Sequence, residues 1–170
     1  MATTVVLMGV AGVGKTSVMR ALAPRLLATT QEGDELHPAA NVEKMASGQP
    51  LTDDDRRPWL DAIAGWIGEQ ERAGSDGIVT CSALKRAYRD RLRDGHPSVW
   101  FAHLVAPRDV LAARMTTRPG HFMPESLLDS QLATLEPLQP DEPGASFPTT
   151  ASPDEIAEAI AARLRAVGRS

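Results

Sequence analysis

An apolar run that ends in a glycine-rich turn and a lysine constrains this chain more than any other feature. Residues 5–16 read VVLMGVAGVGKT. Val5, Val6, Leu7 and Met8 form a strand-like run. Gly9, Val10, Ala11, Gly12, Val13, Gly14, Lys15 and Thr16 then match G-x-x-x-x-G-K-[ST] in full. The residue types follow from the task. Glycines reach dihedrals closed to other residues and turn backbone N–H groups inward around a phosphate. Lys15 brings a point charge to the outer phosphates, and the Thr16 hydroxyl can ligate Mg²⁺. The helix expected from Ser17 onward would aim the positive end of its dipole at the same phosphates. An ordinary glycine-rich turn needs neither that strand nor that helix. The stretch reads as a nucleoside triphosphate site.

Composition narrows the setting. At 170 residues the chain fits a single domain over 1–170. A net charge of −4 favours no polyanionic partner, so nucleic acid is not expected. The lone Cys81 excludes an intramolecular disulfide. With no apolar run near the roughly 20 residues of a membrane span and a first strand that starts at once, the expectation is a cytoplasmic protein without signal peptide or membrane contact.

Strands and helices alternate along the chain. Strands are expected at 5–8, 28–32, 78–81, 99–105 and 145–150. The second is polar (ATTQE) and is placed on architectural grounds, and the last is thin. Helices are expected from Ser17 to about Leu27, then at 39–46, from Thr52 to Gly74, and at 85–93, 107–117, 125–135 and 152–167. Thr52 serves as an N-cap, and Pro58 either kinks the third helix or opens a later one. Ile156, Ile160, Leu164 and Val167 line one face of the last helix. Trp59 and Trp66 are assigned to the core. Such alternation implies βαβ units and a parallel sheet covered on both sides. Ligands then bind beyond the carboxyl ends of the strands. The loops after strands one, two and three should therefore open onto one edge.

That edge gathers chemistry. Asp34, just past strand two, could accept a proton from a hydroxyl attacking the γ-phosphorus, hold Mg²⁺ through water, or form an ordinary turn. Neighbouring Glu32 and Glu35 read as solvated or supporting residues. His37 could bond a polyol or be structural. Arg56, Lys85 and Arg86 suit a substrate carrying a carboxylate, which arginine grips bidentately. Arg114 and Arg118, four apart, share a helical face that feeds Pro119-Gly120 and then His121. Together they suggest a mobile lid over about 114–136.

With these residues assembled, the chain resembles the small gluconate kinases, relatives of shikimate and adenylate kinases. The carriers are the phosphate loop, EGDELHP at 32–38 with Asn41, Lys44 and Met45, GQPLTDDDRRPWL at 48–60, CSALKRAYRD at 81–90, the stretch 114–123 ending in HFM, and residues 127–136. The match runs in order from Val5 to Glu136. It implies a three-layer α/β P-loop NTPase fold with about five parallel strands flanked by helices and a small lid. It further implies MgATP-dependent phosphorylation of D-gluconate to 6-phosphogluconate, and a homodimer. By similarity Asp34 is the base, Thr16 the metal ligand, Lys15, Arg114 and Arg118 stabilise the transferring group, and His37, Arg56, Lys85, Arg86 and His121 meet the substrate. No strand ends in the acid of a standard Walker B motif, so metal binding is expected to rest on Thr16, phosphates, water and Asp34. Two alternatives compete: a related kinase for shikimate, another polyol acid or a nucleotide, and a non-catalytic ATP-binding regulator.

Overall fold

The computed structural model describes residues 2–117 and 125–169. Two sequence candidates, Arg118 and His121, lie outside the described residues. The first half of the chain runs β1 (Thr4–Met8), α1 (Lys15–Leu26), β2 (Thr29–Glu32), a 3₁₀ turn (Gly33–Leu36), α2 (Ala39–Ala46) and α3 (Asp53–Ala73). The second half runs β3 (Gly77–Thr80), α4 (Arg86–Arg93), β4 (Val99–Val105), α5 (Arg108–Thr117), α6 (Glu125–Thr134), β5 (Gly144–Pro148) and α7 (Pro153–Ala166).

All five strands join one parallel sheet in the order β2-β3-β1-β4-β5. β1 is central and every one of its residues is buried, which is why its run shows no alternation. Val5 and Leu7 face α1 and α7, among Val18, Leu22, Ile156, Ile160 and Leu164. Val6 and Met8 face α3 and α4, among Trp59, Leu60, Ile63, Ile67 and Leu92. The result is three layers, helix on sheet on helix.

The polar second strand has a physical reason. β2 is an edge strand paired to β3, with Thr29 and Thr30 exposed, so it needs β-branched side chains rather than large apolar ones. Thr52 caps α3 in a reciprocal capping box with Asp55, and Gly74 ends it at φ 67°. The helix runs through Pro58 without interruption, so Pro58 starts no later helix. In α7, Ser152 accepts from the Glu155 N–H and Pro153 takes the first turn. Val167 does not join its apolar face: the helix stops at Ala166, and Val167 is 50% exposed.

Candidate active site

The phosphate loop opens beyond the carboxyl end of β1, at the centre of the sheet. Gly9, Gly12 and Gly14 hold φ values of 144°, 80° and 104°, in the region that favours glycine. A Cβ on Gly9 would stand 2.7 Å from the Leu104 carbonyl oxygen on the neighbouring strand. Gly14 leads straight into α1, so the loop lies at the positive end of that helix. The Gly9 N–H donates to the Ser82 carbonyl at 3.2 Å, joining the loops after β1 and β3. Lys15 Nζ donates to the carbonyls of Gly9 at 2.7 Å and Val10 at 3.3 Å. Burial pushes the pKa of its ammonium down, while Asp34, Cys81 and Glu32 act against that shift. Asp34 and Lys15 are thus electrostatic neighbours across the loops after β1 and β2, as the sheet topology requires.

Glu32 is the residue the sequence undervalued. It ends β2, partly buried, and takes the supporting one of the two roles the sequence allowed. One carboxylate oxygen accepts from Thr16 Oγ1 at 2.7 Å, and the other accepts from Thr80 Oγ1 at 2.6 Å. A strand does therefore present an acid to the proposed metal ligand. Gly33 follows with its N–H on Thr80 Oγ1 at 3.1 Å and its carbonyl held by Trp59 Nε1 at 2.7 Å. A Cβ there would meet the Thr80 carbonyl oxygen at 1.9 Å. Gly33 is pinned on both sides, and this fixes the turn that carries Asp34. His37 stacks on Trp59 with ring centroids 4.3 Å apart and contacts Asn41 Nδ2 at 3.3 Å. Burial lowers its pKa, opposed by Asp34, with Arg56 adding to the fall. The Cys81 thiol beside them is pushed up to about 12 by burial, which keeps it protonated and unreactive.

From Asp34 a line of polar groups continues through His37 and Arg56 to α4. Arg56 donates to the Leu51 carbonyl at 2.7 Å and to the Tyr88 hydroxyl at 3.3 Å. Lys85 Nζ donates to both oxygens of Asp53, at 3.1 and 3.3 Å. Arg86 does not join this group. Its guanidinium engages Asp90, Gln139 and both oxygens of Asp141.

α5 and α6 reach the phosphate loop from the other side. Arg114 donates to the Val13 carbonyl at 3.2 Å and the Thr149 carbonyl at 2.8 Å. Gln131 Oε1 accepts from the Ala11 N–H at 2.8 Å. Beside Arg114 lies a cleft of about 230 Å³ lined by Gly12, Gly14, Ser17, Thr149 and Pro153 among others. A more open depression beside Arg20 and Thr30 lies at the sheet edge, with no phosphate-loop residue in its lining.

A buried ion pair fixes the third loop. Arg89 and Glu142 have fully buried side chains and meet at 2.7 Å. The same guanidinium donates to the carbonyl of Ala83 at 2.9 Å, a non-glycine residue held at φ 45°. The Glu136 N–H donates to the Leu84 carbonyl at 2.7 Å. This clamp ties the loop after β3 to the segment that follows α6.

A phosphate loop between a central parallel strand and a helix, an acid at the end of β2 two strands away, and Arg114 reaching the loop from α5 define a P-loop small-molecule kinase. The AAA domain family matches residues 5–125. A gluconokinase from Gluconobacter oxydans (strain 621H) is 50% identical over 161 residues, covering 95% of this chain and 90% of the relative. The thermoresistant gluconokinase of Escherichia coli (strain K12) is 46% identical over 82% of this chain and 77% of its own. The chain belongs to the gluconokinase family. A gluconokinase structure from Sinorhizobium meliloti 1021 superposes with a TM-score of 0.84 at 45% identity, covering 95% of this chain and 93% of its own. A shikimate kinase from Aquifex aeolicus, at 14% identity and a TM-score of 0.64 over 98% of this chain and 99% of its own, shares the fold.

Proposed function

We propose that this protein transfers the γ-phosphate of ATP to the terminal hydroxyl of D-gluconate, giving 6-phospho-D-gluconate and ADP. The carrying observation is the convergence of Lys15, Asp34 and a cation-lined polar trail on one edge of the sheet. The loop formed by Gly9, Val10, Ala11, Gly12, Val13, Gly14, Lys15 and Thr16 wraps the phosphates, and Lys15 draws charge from the outer ones. Asp34 orients the hydroxyl and accepts its proton as the new O–P bond forms and the bond to the leaving ADP oxygen breaks. His37 and Arg56 contact the polyol, and Lys85 takes the carboxylate end. Arg86 would join only by giving up Asp141. The segment about 114–136 acts as the lid, with Arg114 and Arg118 on the transferring group and His121 toward the substrate.

The donor set at Thr16 fits a hard divalent cation, since its hydroxyl is already oriented by a carboxylate. Bound there with the phosphates, Mg²⁺ would neutralise charge on the transferring group. A homodimer, by family resemblance, and a cytoplasmic setting, from composition, complete the reading. The test is ADP release over gluconate, related aldonates, shikimate and nucleoside monophosphates. A clear preference for gluconate is expected; its absence would defeat the proposal.

A further inference from the structure

The far end of the polar trail is already filled by a carboxylate. Asp53, the first residue of α3, accepts a hydrogen bond from the Tyr88 hydroxyl and both bonds from Lys85 Nζ. Arg56, one turn further along α3, donates to that same hydroxyl and sits with its Cζ 5.7 Å from the Tyr88 ring centroid. Lys85 Nζ lies 5.6 Å from the same centroid. Two cations and a phenol thus converge around one carboxylate, and Tyr88 and Lys85 hold its carboxyl below the usual range. The two cations are those the substrate reading assigns to gluconate.

Building on that reading, we propose that the Asp53 side chain occupies the carboxylate subsite as a resident competing anion and exchanges with the carboxylate of the incoming sugar acid. The exchange is favourable only for an anion. A neutral polyol offers Lys85 and Tyr88 nothing to replace Asp53, whereas a sugar acid returns a like charge to the same donors. The displaced side chain has somewhere to go. It is 59% exposed and stands at the positive end of the α3 dipole. Its backbone stays fixed by the Thr52–Asp55 capping box, so the movement is a rotamer change rather than an unwinding. Tyr88 is the chain's one tyrosine and reaches the subsite from α4.

The experiment is calorimetric binding of D-gluconate and of the neutral hexitol sorbitol to the intact protein, alongside steady-state kinetics. Asp53→Asn and Asp53→Ala remove the competing charge at an exposed position, and a thermal melt confirms that each folds. Asp54→Asn removes the same charge at a neighbour whose side chain is 82% exposed and paired to Arg57. The expected result is gluconate binding about 3- to 10-fold tighter in both Asp53 variants, with KM falling in step and kcat little changed. Sorbitol binding stays as in the parent, and Asp54→Asn changes neither. Unchanged or weaker gluconate binding in the Asp53 variants would overturn the exchange, as would an equal gain from Asp54→Asn. Gluconate binding that follows the predicted pattern without ADP production would defeat the kinase reading and leave the exchange standing. No binding to any of these proteins would overturn both.

Discussion

The Thr16 hydroxyl donates to a Glu32 oxygen at 2.7 Å while Thr80 Oγ1 holds the other at 2.6 Å. This bridge joins the first turn of α1 to the ends of β2 and β3, and it orients the one protein group proposed to touch the metal. Partners that orient a metal ligand carry a large share of metal affinity. Glu32→Gln should therefore raise the Mg²⁺ concentration for half-maximal turnover about 10-fold or more, with KM for gluconate nearly unchanged. A Mg²⁺ titration of initial rates checks it.

The Arg89–Glu142 pair sits wholly out of water. Removing one partner strands the other, and the expected cost for Arg89→Met is about 3–5 kcal/mol. Replacing both, as Arg89→Met with Glu142→Leu, should recover most of that loss. Urea denaturation of the single and double variants measures it. The double variant still loses the donor to the Ala83 carbonyl, so its KM for gluconate should rise while its KM for ATP holds.

Two glycines should respond in opposite ways to the same methyl group. Gly33→Ala drives a Cβ to 1.9 Å from a backbone oxygen of β3, which flexible side-chain movement cannot relieve. It should destabilise the fold and abolish turnover. Gly65, inside α3, is exposed and has nothing within 4 Å of a built Cβ. Gly65→Ala should raise stability by about 0.5–1 kcal/mol. Denaturation midpoints separate the two.

His103 on β4 is 4% exposed, and its Nδ1 has no hydrogen-bond partner among the described residues. Burial, with Arg89 and Lys15 adding to the fall, takes its pKa down to about 4. A base with a depressed folded pKa binds fewer protons folded than unfolded, so its contribution to stability is lost as pH falls from its unfolded value toward that folded value. Over this window of roughly 2.5 pH units the loss is at most about 3 kcal/mol. His103→Phe should flatten the stability profile between pH 6.5 and 4, as denaturation at stepped pH would record.

The elements that carry local signals were legible in the sequence. The β1 run and the phosphate loop, the capped starts of α3 and α7, and α2 at Ala39–Ala46 all stand where residue patterns place them. Contacts set by the sheet were not. Glu32 reads as either solvated or supporting, and the sequence cannot choose because its partners Thr16 and Thr80 lie 16 and 48 residues away. Asp53 looks like one acid among three at a helix start until Tyr88, 35 residues on, is folded against it. Arg86 reads as a substrate cation beside Lys85, yet the turn into α4 sends it toward Asp141. Val167 keeps the apolar period of α7 but falls one residue past its end.

The proposed base is Asp34, carried on the pinned Gly33 turn beside Lys15, where it takes the proton from gluconate. Asp34→Asn keeps the shape and removes the base. Steady-state kinetics should show kcat lower by about 100-fold or more, with KM for ATP within a few-fold of the parent. Turnover near that of the parent would rule out Asp34 as the base and reduce it to a scaffold residue.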